Sequence, residues 1–159
     1  MEINGVPLHP LVVHAAVILG PATALTAIAY AVLPGWRWLI RWPMVALAAA
    51  TVGAVFLAKV AGQELLEQRA SQLSRLDVAQ IAVHQERGNV LLWVALGFLV
   101  IAVLLAAVPA RVGTDGSGSE ARQPVIANVF AVLAVVLALV TLVLVVMVGD
   151  LGARAVWGG

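Results

Sequence analysis

The residues with the widest chemical range in this chain are its three histidines. Two of them, His9 and His14, stand five apart at the mouth of the first long apolar run. The third, His84, precedes the third apolar run by six positions. Imidazole changes charge near neutrality and is the commonest metal ligand. An ionisable side chain at the edge of a membrane helix is a candidate functional residue by default. Lys59 and Glu64 sit at the end of the second run, and Asp150 follows the fourth.

Three chemistries suit this set. The first is a b-type haem or another redox cofactor, with His14 and His84 as axial ligands from different helices. Arg87 would then meet a propionate. Gly88, one turn from His84 on the same helix face, would leave room for a flat ligand. The second is a transition-metal site of His9, His14, Glu64 and His84, with Asp150 as a further oxygen donor. Imidazole with carboxylate suits zinc, copper or non-haem iron, although no HxxH or HExxH spacing is present. The third is a proton path through His14, Lys59 and Glu64. Against all three stands a structural reading. In it the histidines are hydrogen-bonded interfacial residues, Lys59 reaches the headgroups along its own stem, and Glu64 and Asp150 are wet helix ends.

The elements that must position these residues are membrane helices. The chain has 159 residues, 63% hydrophobic and 11% charged. A soluble domain averages about 45–50% apolar and about 25% charged. Four runs reach the roughly 20 apolar residues that a spanning helix needs: 11–33, 44–62, 90–108 and 125–148. Their many β-branched residues do not argue against helix, because in lipid every backbone group must be satisfied within its own segment. No basic stretch precedes the first run, which is longer than a signal-peptide core and reads as a retained span. The absence of cysteine excludes disulfides, thiolate metal sites and iron–sulfur clusters held by this chain. A net charge of +1 gives no reason to expect a nucleic-acid partner.

The linkers differ in kind. Residues 34–43 read as a short turn whose Trp36, Trp38 and Trp42 belong at a membrane–water interface. Residues 63–89 mix charge with Leu and Ile, and read as helical extensions of spans two and three that turn near Ser71. Asp77 is a reasonable N-cap for the third helix. Residues 113–119 (GTDGSGS) form a flexible loop. The glycine-rich tail after Val148 reads as an interfacial segment. No internal repeat is evident, and one domain over 1–159 is the simplest organisation.

Four spans put both termini on one side with the second loop. The first and third loops carry Arg37, Arg41, Arg111 and Arg122 within a short length. That density favours them as cytoplasmic, with both termini outside. Lys59, Glu64, His84, Asp150 and the two N-terminal histidines then share the outer face. Small residues recur every four positions in span two (Ala46, Ala50, Ala54, Ala58, Gly62) and in span one (Ala16, Gly20, Ala24). Such ridges let helices approach closely in lipid, so spans one and two should pack there. Asn128 and Thr141 each offer span four one interhelical hydrogen bond. His14 lies about 120° from the ridge of span one, and the cost of facing lipid favours the bundle for it.

The opening Leu8-His9-Pro10-Leu11-Val12-Val13-His14 resembles the LHPLxVHFP start of a bacterial integral membrane family, the domain of unknown function 2231. Ala15 and Ala16 stand where that pattern has Phe-Pro. Ala61-Gly62-Gln63-Glu64 resembles the family's T/A-G-x-E element, His84 to Gly88 its H-x-x-x-G, and Gly149-Asp150-Leu151 its closing element. The elements fall in the family's order along the whole chain. The resemblance implies four spans and no established activity. Matched positions are His9, His14, Gly62, Glu64, His84, Gly88 and Gly149. Fusions of some relatives to Rieske-type or cytochrome domains imply a redox setting.

The sequence therefore predicts an all-α, four-transmembrane-helix bundle in the inner (plasma) membrane. Its expected function is that of a non-catalytic component holding haem b or a metal in an outer-facing His/Glu cluster. The alternatives are an accessory subunit with structural histidines and, less favoured, a proton-coupled transporter; no matching pair of broken helices suggests an inverted repeat. Expected partners are the lipid bilayer and either a second copy or a redox protein.

Overall fold

A computed structural model describes residues 2–3, 6–69, 71, 75–107 and 125–157. Two-residue strands β1 (Glu2–Ile3) and β2 (Val6–Pro7) pair antiparallel ahead of the first helix. Four helices follow: α1 (Leu8–Val32), α2 (Arg37–Arg69), α3 (Arg75–Ala107) and α4 (Val125–Trp157). All four are long and apolar enough to cross a membrane. Most of each apolar stretch faces outward, with Ile18, Leu25, Trp93 and Val132 among the exposed side chains. In water such surface would be a defect; in a bilayer it is the solvated face. Lipid is the environment of this fold.

The helices form a ring in which α1 packs on α2, α2 on α3, α3 on α4 and α4 on α1. The α1–α2 and α3–α4 pairs are the most extensive. α2, α3 and α4 have 33 residues each, about 50 Å at 1.5 Å per residue, against a hydrocarbon core of about 30 Å. The excess lies mostly at the end of the bundle where α1 begins, α2 ends, α3 begins and α4 ends.

Several boundaries differ from the sequence expectation. The turn expected over 34–43 is only a 3₁₀ turn at Pro34–Trp36, and α2 starts at Arg37 with Pro43 inside it. Pro43 is the seventh residue of α2, so it cannot donate to the Leu39 carbonyl and the helix runs on with that one rung missing. α3 begins at Arg75, so Asp77 falls in its first turn instead of capping it. The tail expected to lie at the interface continues α4 through Gly149 and Gly152. The flexible loop expected at 113–119 lies outside the described residues.

Packing inside the ring is dominated by alanine at the closest approaches and by a few large residues. One cluster joins Ala24, Ala27, Tyr30, Met44, Ala48, Phe98, Ala102 and Leu105 with Ala131, Ala134 and Ala138. It fills the end where α1 meets α2 through the short turn. Ala16, Gly20 and Ala24 are buried as the ridge of span one requires. Gly20, however, faces α4: a Cβ there would lie 3.3 Å from Val145 Cγ2. The expected ridge of span two is rotated from the contact, since Ala46 and Ala50 are exposed while Met44, Ala48, Thr51, Ala54 and Val55 are buried. Thr23 and Thr51 share a buried hydrogen bond of 2.9 Å between α1 and α2. Thr141 instead donates to Leu137 O of its own helix at 2.8 Å. Asn128 does bond across helices, accepting from Arg37 Nη1 at 3.2 Å.

Arg37 ties that end shut. Its Nε donates to Tyr30 O at 3.0 Å and its Nη2 to Ala31 O at 3.4 Å. Those carbonyls belong to the last turn of α1, where no intrahelical donor remains. The guanidinium carbon also stands 5.2 Å from the centroid of the Tyr30 ring. Trp36, Trp38 and Trp42 are exposed around this end, where indole rings suit the headgroup level.

Candidate functional site

At the opposite end the helices stand apart around a cavity of about 340 Å³, within the roughly 300–1,000 Å³ of small-molecule sites. All four helices line it. Ala16, Val55, Leu91 and Val145 form its inner, apolar part. His9 and His84 enter from α1 and α3, and Lys59 and Arg69 line it from α2. From Val55 to Arg69 the lining follows α2 for about 21 Å at 1.5 Å per residue, so the cavity is an elongated slot open toward the helical extensions.

The two imidazoles meet within this slot. Their ring centroids are 6.2 Å apart and their planes lie at 78°. His9 Nδ1 donates to Ala58 O of α2 at 2.8 Å. A carbonyl only accepts, so this bond places the proton of neutral His9 on Nδ1 and leaves Nε2 with a free electron pair.

The seat of His9 depends on a missing side chain. A Cβ at Gly62 would lie 3.0 Å from both Cε1 and Nδ1 of the ring. Gly62 follows Ala58 by one turn, and a side chain there would occupy the space the imidazole uses to reach the carbonyl. His84 has a corresponding seat on α4. A Cβ at Gly152 would lie 3.2 Å from its Cε1. The Val148 carbonyl, four residues before Gly152, stands beside the ring. It falls outside hydrogen-bond geometry, and His84 Nδ1 is buried without a bonded partner. The two helical hairpins thus share a device: a histidine of the first helix stands beside a carbonyl and a glycine, four residues apart, near the end of the second, with a hydrogen bond formed at His9 only. No repeat is visible in the residues themselves, because only the histidine and the glycine are shared.

The structure sorts the residues singled out from sequence. His9, Lys59, His84 and Gly88 line the cavity. Gly88 has no heavy atom within 4 Å of an added Cβ, apart from its own helix, and so leaves open space there. His14 does not line it. His14 is exposed and its Nδ1 donates to Pro10 O in its own helix at 2.7 Å. That local bond satisfies one ring nitrogen, which removes the argument that lipid must drive His14 into the bundle. Arg87 and Asp150 are exposed and Glu64 is half-buried, none of them among the lining residues. Among the described residues no three of His, Asp and Glu come close enough to hold a metal ion. The set His9, His14, Glu64 and His84 is therefore not assembled there, and the pair brought together is His9 with His84 instead of His14 with His84.

A family model described as a predicted membrane protein, DUF2231, matches residues 5–159. The chain belongs to this family. The DUF2231 match spans both histidine seats, all four helices and the cavity. No curated protein and no solved structure matches the chain.

Gly152 and the primacy of His9 were missed in the sequence. A signal for His9 was present: seven residues before Ala16, it lies within about 20° of the small-residue stripe of α1. His84 stands seven before Leu91 on the buried stripe of α3 in the same way. The signal for Gly152 was its position four after an apolar residue in a helix expected to stop earlier.

Proposed function

We propose that this DUF2231 chain is a non-catalytic membrane component that holds a small ligand in the four-helix cavity, with His9 and His84 as its polar contacts. One observation carries the reading: two imidazoles from different hairpins meet inside a slot to which every helix contributes. A bundle that needed only to pack would close there, as it does at the Arg37 end. Apolar walls with a few convergent polar groups describe a binding site.

The cavity end faces outward in this reading, because Arg37, Arg41, Arg111 and Arg122 crowd the two short loops of the other end. A periplasmic-active reporter fused after Gly159 should be active, and a cytoplasmic-active one silent; the reverse result overturns the orientation. Ligand holding is tested by native mass spectrometry of the full chain released from detergent. A non-protein mass should remain on the wild type and be absent from Gly62→Val. Wild type and variant both bare would return the histidines to a structural role, which the satisfied His9–Ala58 bond also accommodates.

A further inference from the structure

We infer that the cavity is a bis-imidazole haem site, with His9 Nε2 and His84 as the two axial ligands of a b-type haem. This rests on the ligand-holding reading above and names the ligand class. The tautomer of His9 narrows that class first. With Nδ1–H committed to Ala58 O, Nε2 of neutral His9 can only donate an electron pair. A ligand that merely accepts hydrogen bonds, such as a quinone carbonyl, gains nothing from it. A metal does, and the backbone bond behind the ring is the orienting contact that metal-bound histidines characteristically make.

The number of ligands narrows it further. Two imidazoles and no third His, Asp or Glu among the described residues leave a bare zinc or non-haem iron ion short of its coordination. A metalloporphyrin brings four equatorial nitrogens of its own and asks the protein for axial ligands only. Distance agrees. With both ligating nitrogens turned to one metal, imidazole–metal bonds of about 2.0–2.1 Å and centroids roughly 1.1 Å behind each nitrogen put two axial rings roughly 6.3 Å apart, a spacing that the 6.2 Å between these rings accommodates. The surroundings agree as well. Ala16, Val55, Leu91 and Val145 offer the apolar inner wall that a macrocycle needs, and Lys59 and Arg69 line the same slot where propionates would leave it. An edge-to-face ring pair with nothing between would have a similar centroid distance, so the test must read the metal.

Purified full-length chain in detergent is titrated with ferric protoporphyrin IX and followed by absorption before and after dithionite. One equivalent should bind with a six-coordinate, low-spin spectrum. His9→Ala and His84→Ala should each lose the six-coordinate signature and weaken binding at least tenfold, while His14→Ala leaves both unchanged. His84→Gly should regain the signature with free imidazole, which a residue needed only for folding would not do. A high-spin spectrum in the wild type, or low-spin binding that survives both alanine variants, overturns the assignment. So does one copper bound per chain without haem binding. If haem fails while the mass retained by the wild type is still lost in Gly62→Val, the haem assignment falls and ligand holding stands. If both fail, both readings fall.

Discussion

The two ends of this bundle are built from the same four helices and have opposite characters. At one end α1 turns into α2 within three residues of 3₁₀ helix, Arg37 caps the last carbonyls of α1, and Phe98, Met44 and Leu105 fill the interior. At the other, the histidines reach across an open slot and the side chains deepest in it are Ala16, Val55, Leu91 and Val145. Lipid gives helices little reason to separate, since association in a bilayer depends on close packing and interhelical hydrogen bonds. The Arg37 end uses both. At the histidine end, two glycines make room for imidazoles and the slot between the helices stays open. The difference teaches that one continuous set of four helices closes at one end and opens at the other.

Substitutions can break or sharpen this contrast. The largest effect is expected from Phe98→Ala, about 3–5 kcal/mol of lost stability by analogy with buried aromatic truncations, read as a lowered thermal midpoint in detergent. Thermal stability should suffer far more there than from truncating a side chain that lines the slot. Next comes Gly62→Val, where the added atoms meet His9 at van der Waals overlap and should cost about 1–3 kcal/mol. Gly53→Ala is its control, with open space beyond its own helix, and should be neutral or stabilising by up to about 1 kcal/mol; equal losses at both glycines would deny the seat. Thr23→Val removes the buried Thr23–Thr51 bond between the two regions. Bonds of this kind in membranes average about 0.6 kcal/mol, so a loss above roughly 2 kcal/mol would mean the bond does more than join α1 to α2. His14→Ala is expected to change stability by less than about 0.5 kcal/mol, as an exposed side chain should.

Four spans were legible because a run of about 20 apolar residues has one reading in lipid. Helix ends were less so. Arg37 and Pro43 look like loop residues by composition, yet the helix runs through them. Which face of a span turns inward was the hardest question. Ala46, Ala50, Ala54 and Ala58 make a regular ridge, and half of it faces lipid, because alanine is as acceptable to acyl chains as to a neighbouring helix. His14 misled for a related reason: the cost of a polar ring near lipid was set against no local partner, and Pro10 O supplies one. His9 was named from the start, but its partner glycines lie on other helices, and spacing along one chain does not show which turn of a second helix it meets.

The seat of His9 also fixes how far α1 can slide along α2. Shifted by one turn in one direction, the imidazole would approach Ala54 O and collide with the methyl of Ala58; in the other it would approach Gly62 O under the bulk of Leu66. Only the turn ending at Gly62 has no side chain in the way. The ring works as a detent, one notch on an otherwise smooth apolar rail, and α4 carries a second notch at Gly152 for His84 of α3. Two helical pairs that greasy surfaces alone would leave free to creep are thereby held at one axial register.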